Sequence, residues 1–181
     1  KQILTAYGQG SRLNLVKATQ NPVLLKDESL TNLSAEITTA LVAAGVPAQQ
    51  AGLMGIVYGQ ARHATSADLL PLTTSSVIGT APSSPYAVAP FNKYGVTFPL
   101  DDKHVLSSTE KDEVLAATAT FNGVIKAAAT AKGLAFVDAN AKMIELSAAS
   151  GIQFDGVKYT ATFVTGGTFS LDGVHLTGRG Y

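Results

Sequence analysis

An α/β fold is what this 181-residue sequence predicts, and three observations predict it. Leu30, Leu33, Ile37, Leu41 and Ala44 recur at three- and four-residue steps, the period of one apolar helix face. Val114, Thr118, Phe121, Ile125 and Ala128 form a second such stripe. That stripe runs almost directly into Leu134-Ala135-Phe136-Val137-Asp138, a short apolar run of buried-strand type. A helix followed at once by such a strand is one half of an α/β unit.

The elements follow in order. Residues 1–28 read as irregular, with a turn at 7–11 and a short extended piece around Leu13, Leu15 and Val16. The Gly-Gln-Gly-Ser string in that turn lacks the strand–loop–helix setting of a phosphate loop. The first helix is expected from Ser29 as N-cap, with Gly45 and Pro47 as its stop. A second, shorter helix is expected from Pro47 to about Gln60, weakened by Gly52, Gly55 and Gly59 at roughly 1 kcal/mol each relative to Ala.

Residues 64–107 are rich in Thr, Ser and Pro. Leu69-Leu70-Pro71-Leu72 and Ser76-Val77-Ile78-Gly79 read as short strands, and 81–90 as a loop. So long a stretch with so little regular structure reads as an inserted, substrate-side region within a single 1–181 domain. Ser107 and Glu110 make a capping box, with alternatives one or two residues along, and Lys132-Gly133 closes that helix. Residues 139–149 read as a further short helix. Residues 152–164 alternate in strand fashion around Asp155-Gly156, a hairpin dipeptide.

Composition narrows the functional classes. Thirteen basic residues balance thirteen acidic ones without blocks of either sign, which argues against a nucleic-acid surface. There is no Cys, so disulfides, thiolate metal sites and Cys nucleophiles are excluded. No apolar stretch approaches the ~20 residues of a membrane span, so no transmembrane segment is expected. Lys1 opens the chain without a signal-peptide pattern, and Tyr181 follows a Gly-Arg-Gly turn signal. Both ends therefore read as cut, and a fragment of a longer protein is expected.

Three histidines carry unequal weight. His63 falls at an expected helix end, where a cation favours the helix dipole, a structural role. His104 follows Asp101-Asp102-Lys103 in a charged, solvated loop. No two have the spacing of a zinc motif, and no metal or cofactor is expected. His175 has Asp172 three residues before it, a spacing that in a turn places both side chains on one side. Such a pair can act as a general base, the carboxylate fixing the imidazole tautomer and stabilising its charged form.

The string Phe169-Ser170-Leu171-Asp172-Gly173-Val174-His175-Leu176-Thr177-Gly178-Arg179-Gly180-Tyr181 resembles the last sequence block of SGNH (GDSL-type) hydrolases. It is closest to a subgroup of lipases and esterases in Bacteroidetes. Residues 119–125, 133–138 and 151–167 are similar to that subgroup's penultimate helix and the segments after it, and 30–72 is similar more loosely. The resemblance implies a three-layer α/β/α, flavodoxin-like sandwich around a parallel sheet, of which this chain holds the carboxyl-terminal portion. It implies a Ser–His–Asp triad with His175 as general base and Asp172 as its orienting carboxylate, acting on a small-molecule, lipid or carbohydrate ester without a cofactor. It also implies export, as a periplasmic or outer-membrane lipoprotein.

The departures are specific. Leu176 and Gly178 stand where the family usually has Pro. The family's Gly-Asp-Ser block, its oxyanion Gly and its Gly-x-Asn-Asp block do not occur, nor does a Gly-x-Ser-x-Gly elbow. Ser11, Ser75, Ser76 and Ser84 lie in loops without a supporting motif. The nucleophile is therefore expected outside this chain, on a missing amino-terminal part, and this chain alone is expected to be inactive. The competing expectation is a non-catalytic carbohydrate- or partner-binding domain on the same fold.

Overall fold

A computed structural model describes residues 1–16 and 20–181, and its architecture is mixed α/β. Its contacts divide the chain into two compact units, Lys1–Ala116 and Ala117–Tyr181.

In the first unit, helix α1 (Gln2–Ala6) and a 3₁₀ turn at Gly10–Arg12 occupy a region read from sequence as irregular. The part of that reading on residues 17–19 lies outside the described residues. Strand β1 (Leu24–Lys26) pairs antiparallel with β2 (Ala61–His63), Leu25 opposite Arg62. Helix α2 (Ser34–Ala43) begins four residues later than a cap at Ser29 would start it. Ser29 lies too far before that start to cap it, and its amide and hydroxyl both donate to Asp27 Oδ1 at 3.0 and 2.5 Å. Leu33 holds the N-cap position without a side-chain bond, and Asn32 just before it makes a turn, its Oδ1 accepting from the Ser34 amide at 2.9 Å. Gly45 then stops the helix at φ 86°, a left-handed conformation that Gly adopts without strain.

Helix α3 (Ala48–Tyr58) packs on α2 through a glycine. A Cβ at Gly55 would collide with the Thr38 hydroxyl and with the backbone oxygen of Ser34. The glycine that weakens the helix locally therefore lets the two backbones approach. Gly55→Ala is expected to destabilise the unit by about 1–3 kcal/mol despite alanine's better helix propensity. A urea midpoint equal to or above that of the parent chain would contradict this packing.

Leu4, Leu33 and Ile37 form a small core between α1 and α2. The larger core joins Leu25 to Tyr94, Phe98, Leu100 and Val105, so residues 64–107 are packed into the unit. The short strands expected there are absent: Leu72–Ser76 is a 3₁₀ turn, and Leu69 makes an isolated bridge to Leu106. Two phenols are partly withdrawn from solvent here. Tyr58 donates to the carbonyl of Thr97 and Tyr94 to the carboxylate of Asp101.

Helix α4 (Ser108–Ala131) starts on the expected capping box and runs on into the second unit. The Ser107 amide donates to Glu110 Oε2 at 2.8 Å, and the Glu110 amide to Ser107 Oγ at 3.3 Å. Its stripe is not buried as expected: Val114, Phe121 and Ile125 are 55%, 64% and 56% exposed. At 24 residues the helix is also long and apolar enough, by length and composition, to cross a membrane, which differs from the reading of the sequence. The glycine and threonines that interrupt the sequence run do not interrupt the helix.

The second unit also departs from expectation at 134–138, which forms no strand. Gly133 turns left-handed at φ 64°, and the Leu134 amide closes α4 on the carbonyl of Ala129 at 2.9 Å. Asp138 then caps helix α5 (Ala139–Ser147), accepting from the Ala141 amide at 2.9 Å. Between a closing and an opening cap, and with no neighbouring strand to take its hydrogen bonds, the run stays irregular, and Val137 is 81% exposed. The hairpin forms as expected: β3 (Ile152–Phe154) pairs with β4 (Val157–Tyr159) across Asp155 and Gly156, both at positive φ. Among the described residues the named strands form two separate two-stranded antiparallel sheets.

Candidate functional site

Asp172 and His175 sit in a tight loop of the second unit, closed at its base by an antiparallel bridge between Phe169 and Leu176. The Ser170 amide donates to the His175 carbonyl at 2.8 Å, and the Gly173 amide to the Ser170 carbonyl at 3.0 Å. Gly173 makes the reversal at φ 71°. Within this loop the Asp172 carboxylate is the organising group. Its Oδ1 accepts from the Ser170 hydroxyl at 2.6 Å and from the Val174 and His175 amides at 2.9 Å each. Its Oδ2 lies 2.7 Å from His175 Nδ1.

The Ser170 hydroxyl, the Val174 amide, the His175 ring and the His175 amide together hold the Asp172 carboxyl well below the usual carboxylate range. An ionised carboxylate only accepts, so Nδ1 carries a proton in this contact, and in the neutral ring Nε2 is then the nitrogen with the lone pair. Among the described residues no group bonds to Nε2, and the ring is 76% exposed. The carboxylate thus sets the tautomer that a general base requires, and presents its basic nitrogen outward.

Leu176 and Gly178, at the positions where proline was expected, do not leave the loop loose. Leu176 is held in the bridge, and Thr177 donates its amide to the Thr168 carbonyl and its hydroxyl to the Gly167 carbonyl, each at 2.8 Å. Beside Leu176 lies a cleft of about 360 Å³, with walls that include Met143, Leu146, Ile152, Phe154 and Tyr159.

Three of the four serines without a supporting motif find structural uses. Ser75 and Ser76 donate to carbonyls of their own turn, Leu72 and Thr73, at 2.8 Å, and Ser84 accepts from the Tyr86 amide. Ser170 bonds to the carboxylate and not to the imidazole.

A second charged constellation, in the first unit, had no signature in the sequence. Arg62, on β2, donates Nε to Asp27 Oδ2 at 2.6 Å and both terminal nitrogens to the Asp68 carboxylate at 2.7 Å. All three residues are buried. Asp68 also accepts from the amides of Thr65 and Ser108. Arg62, aided by those donors, outweighs burial and holds the Asp68 carboxyl well below its ordinary range. Burial opposes ionisation of Asp27, but the hydrogen bonds from Ser29 and Arg62 together prevail and lower it too. Every strong donor and acceptor in this cluster is engaged, so it reads as a structural clamp. The spacings, 35 residues for Asp27–Arg62 and 6 for Arg62–Asp68, match no local motif.

The other histidines are structural, one of them for a different reason than expected. His63 lies in a strand, not at a helix end. It is 9% exposed, and its Nδ1 accepts from the Asn14 amide at 3.1 Å. Burial first, with the charge of Lys1 adding to it, pushes its pKa down, so it is no dipole-stabilising cation. His104 packs edge-on against Tyr94. Among the described residues no three His, Asp or Glu side chains gather as a metal site would require. No protein-family model, curated protein or solved structure matches this chain.

Proposed function

We propose that this chain is part of a serine-dependent carboxylic ester hydrolase of the SGNH type, carrying the general-base half of its triad. The observation that carries the reading is the 2.7 Å contact from Asp172 Oδ2 to His175 Nδ1, with Nε2 unengaged and open. His175 would take the proton of a serine hydroxyl as the hydroxyl attacks the ester carbonyl, then return it to the leaving alcohol. Asp172 would hold the ring in place and stabilise the imidazolium. The serine and the oxyanion donors would come from a segment outside this chain, within the three-layer α/β/α sandwich that the resemblance implies. The apolar cleft beside Leu176 suits an acyl chain.

The Gly178 and Leu176 departures and the absence of a serine on Nε2 favour a second reading, a non-catalytic carbohydrate- or partner-binding domain. The two are separated by the complete reading frame and a fluorophosphonate probe. On the first reading the frame carries a Gly-Asp-Ser block and the probe labels its serine; a frame without any such block ends the hydrolase proposal. Export, also proposed from the resemblance, is checked by fractionating cells that express the full frame.

A further inference from the structure

The amino-terminal stretch of the first unit is fastened at two points of different chemistry. Arg12 is buried, and its guanidinium donates to Gln9 Oε1 at 3.0 Å, to the Gly59 carbonyl at 3.1 Å and to the Thr31 carbonyl at 2.8 Å. That anchor is always charged and does not respond to pH in the biological range. The second fastening is the Asn14 amide on His63 Nδ1. Its donor is a backbone N–H, so the ring nitrogen has to be the acceptor. A proton on Nδ1 turns acceptor into donor and sets two N–H groups against each other.

What the stretch covers is a cavity of about 270 Å³. Ile3, Leu4 and Leu13 form one side of it, facing Ile37, Met54 and Phe91. We propose that His63 is a proton-operated catch: neutral, it holds residues 13–14 down; protonated, it lets them lift from Arg12 onward and opens the apolar cavity beneath.

The surroundings of the ring support such a catch. Among the described residues no carboxylate pairs with the imidazole. Lys1 is the charge whose field bears on it, and it opposes protonation. From its own strand the neighbouring charge is Arg62, which is committed to Asp27 and Asp68 and gives Nη1 to the His63 carbonyl at 3.2 Å. Strand β1 places Leu24 opposite His63, and its one charged residue, Lys26, is paired with Glu28. A buried neutral His of this kind has its pKa below the unfolded value of about 6.5, so the stability it supports is lost as pH falls below that value.

Amide hydrogen exchange on the whole chain, corrected for intrinsic rates and read against the His63 ring resonance, tests the catch. Protection of the Asn14 amide should fall about ten-fold as the ring titrates, the scale of one lost hydrogen bond, while Gln9, whose amide bonds to the Leu4 carbonyl on the fastened side of Arg12, and Lys26 in β1 stay unchanged. His63→Gln keeps an acceptor without a titrating proton, and its Asn14 protection should be flat over the same range. Lys1→Ala should move the wild-type midpoint to higher pH. Unchanged Asn14 protection through the ring's titration, or the same loss in His63→Gln, overturns the proposal.

Discussion

Replacing Arg62 with alanine is expected to cost the first unit about 3–5 kcal/mol, enough to unfold many domains of this size. The cost comes from what is left behind. Asp27 and Asp68 are both about 5–10% exposed, and each loses its charged donor without gaining water. Asp68 would still accept from Thr65 and Ser108, so the greater loss is the bidentate pair at 2.7 Å. Lysine is no substitute, since one ammonium cannot serve two carboxylates in the fork geometry that Arg62 uses.

The clamp also sets an acid limit. Both carboxyls titrate below their unfolded value of about 4, so their stabilisation is complete above that pH and is lost as pH falls through their folded values. Urea midpoints of wild type and Arg62→Ala, measured at pH 7 and again near pH 3, check both claims. If the variant's midpoint at pH 7 lies within about 1 kcal/mol of the parent's, the clamp is not the structural element described.

The second large effect concerns chemistry. On the proposed ester-hydrolase reading, His175→Ala in the full-length protein is expected to lower kcat by about 10⁶-fold, the loss seen when a triad's base is removed. Asp172→Asn should cost about 10⁴-fold, because the amide can present a donor to Nδ1 and stabilise the wrong tautomer. The Asn variant would also weaken the loop, since Oδ1 holds Ser170 and two amides. Asp172→Asn must therefore be compared with Ser170→Ala, which removes one loop bond and leaves the Nδ1 contact. A hydrolase indifferent to His175→Ala, with fold intact by circular dichroism, removes His175 from the mechanism.

Much of the local structure was legible in the sequence. The capping box at Ser107–Glu110 and the Asp155-Gly156 turn depend on residues three or fewer apart, and both formed as read. The Asp172–His175 contact belongs to the same class, because a three-residue loop closed by Gly173 brings the groups together without help from elsewhere. What failed depended on distant partners. The run 134–138 has strand composition but no neighbouring strand, and composition alone cannot supply one. The Arg62 clamp joins positions 27, 62 and 68 through the pairing of β1 with β2, a register that no local pattern announces. Ser29 is no cap because the chain turns at Asp27, where the Leu30 amide bonds to the Asp27 carbonyl at 3.2 Å, and the helix starts only at Ser34.

Tyr58 and Tyr94 give the first unit an intrinsic optical reporter. The protein has no Trp and six Tyr, so its near-ultraviolet spectrum is a phenol spectrum. Burial pushes Tyr58 up to about 12; burial, with Asp101 adding to it, does the same for Tyr94. Both phenols stay protonated in the folded chain at a pH where a phenol free in water, with its pKa of about 10, ionises. Their contribution to stability is therefore complete below about pH 10 and disappears as pH rises through 12. In an alkaline jump to pH 11, tyrosinate absorbance that needs no opening of the fold develops within the dead time. The two hidden phenols should follow at the rate at which the first unit opens. That delayed amplitude would time the unfolding of residues 1–116 without any attached label.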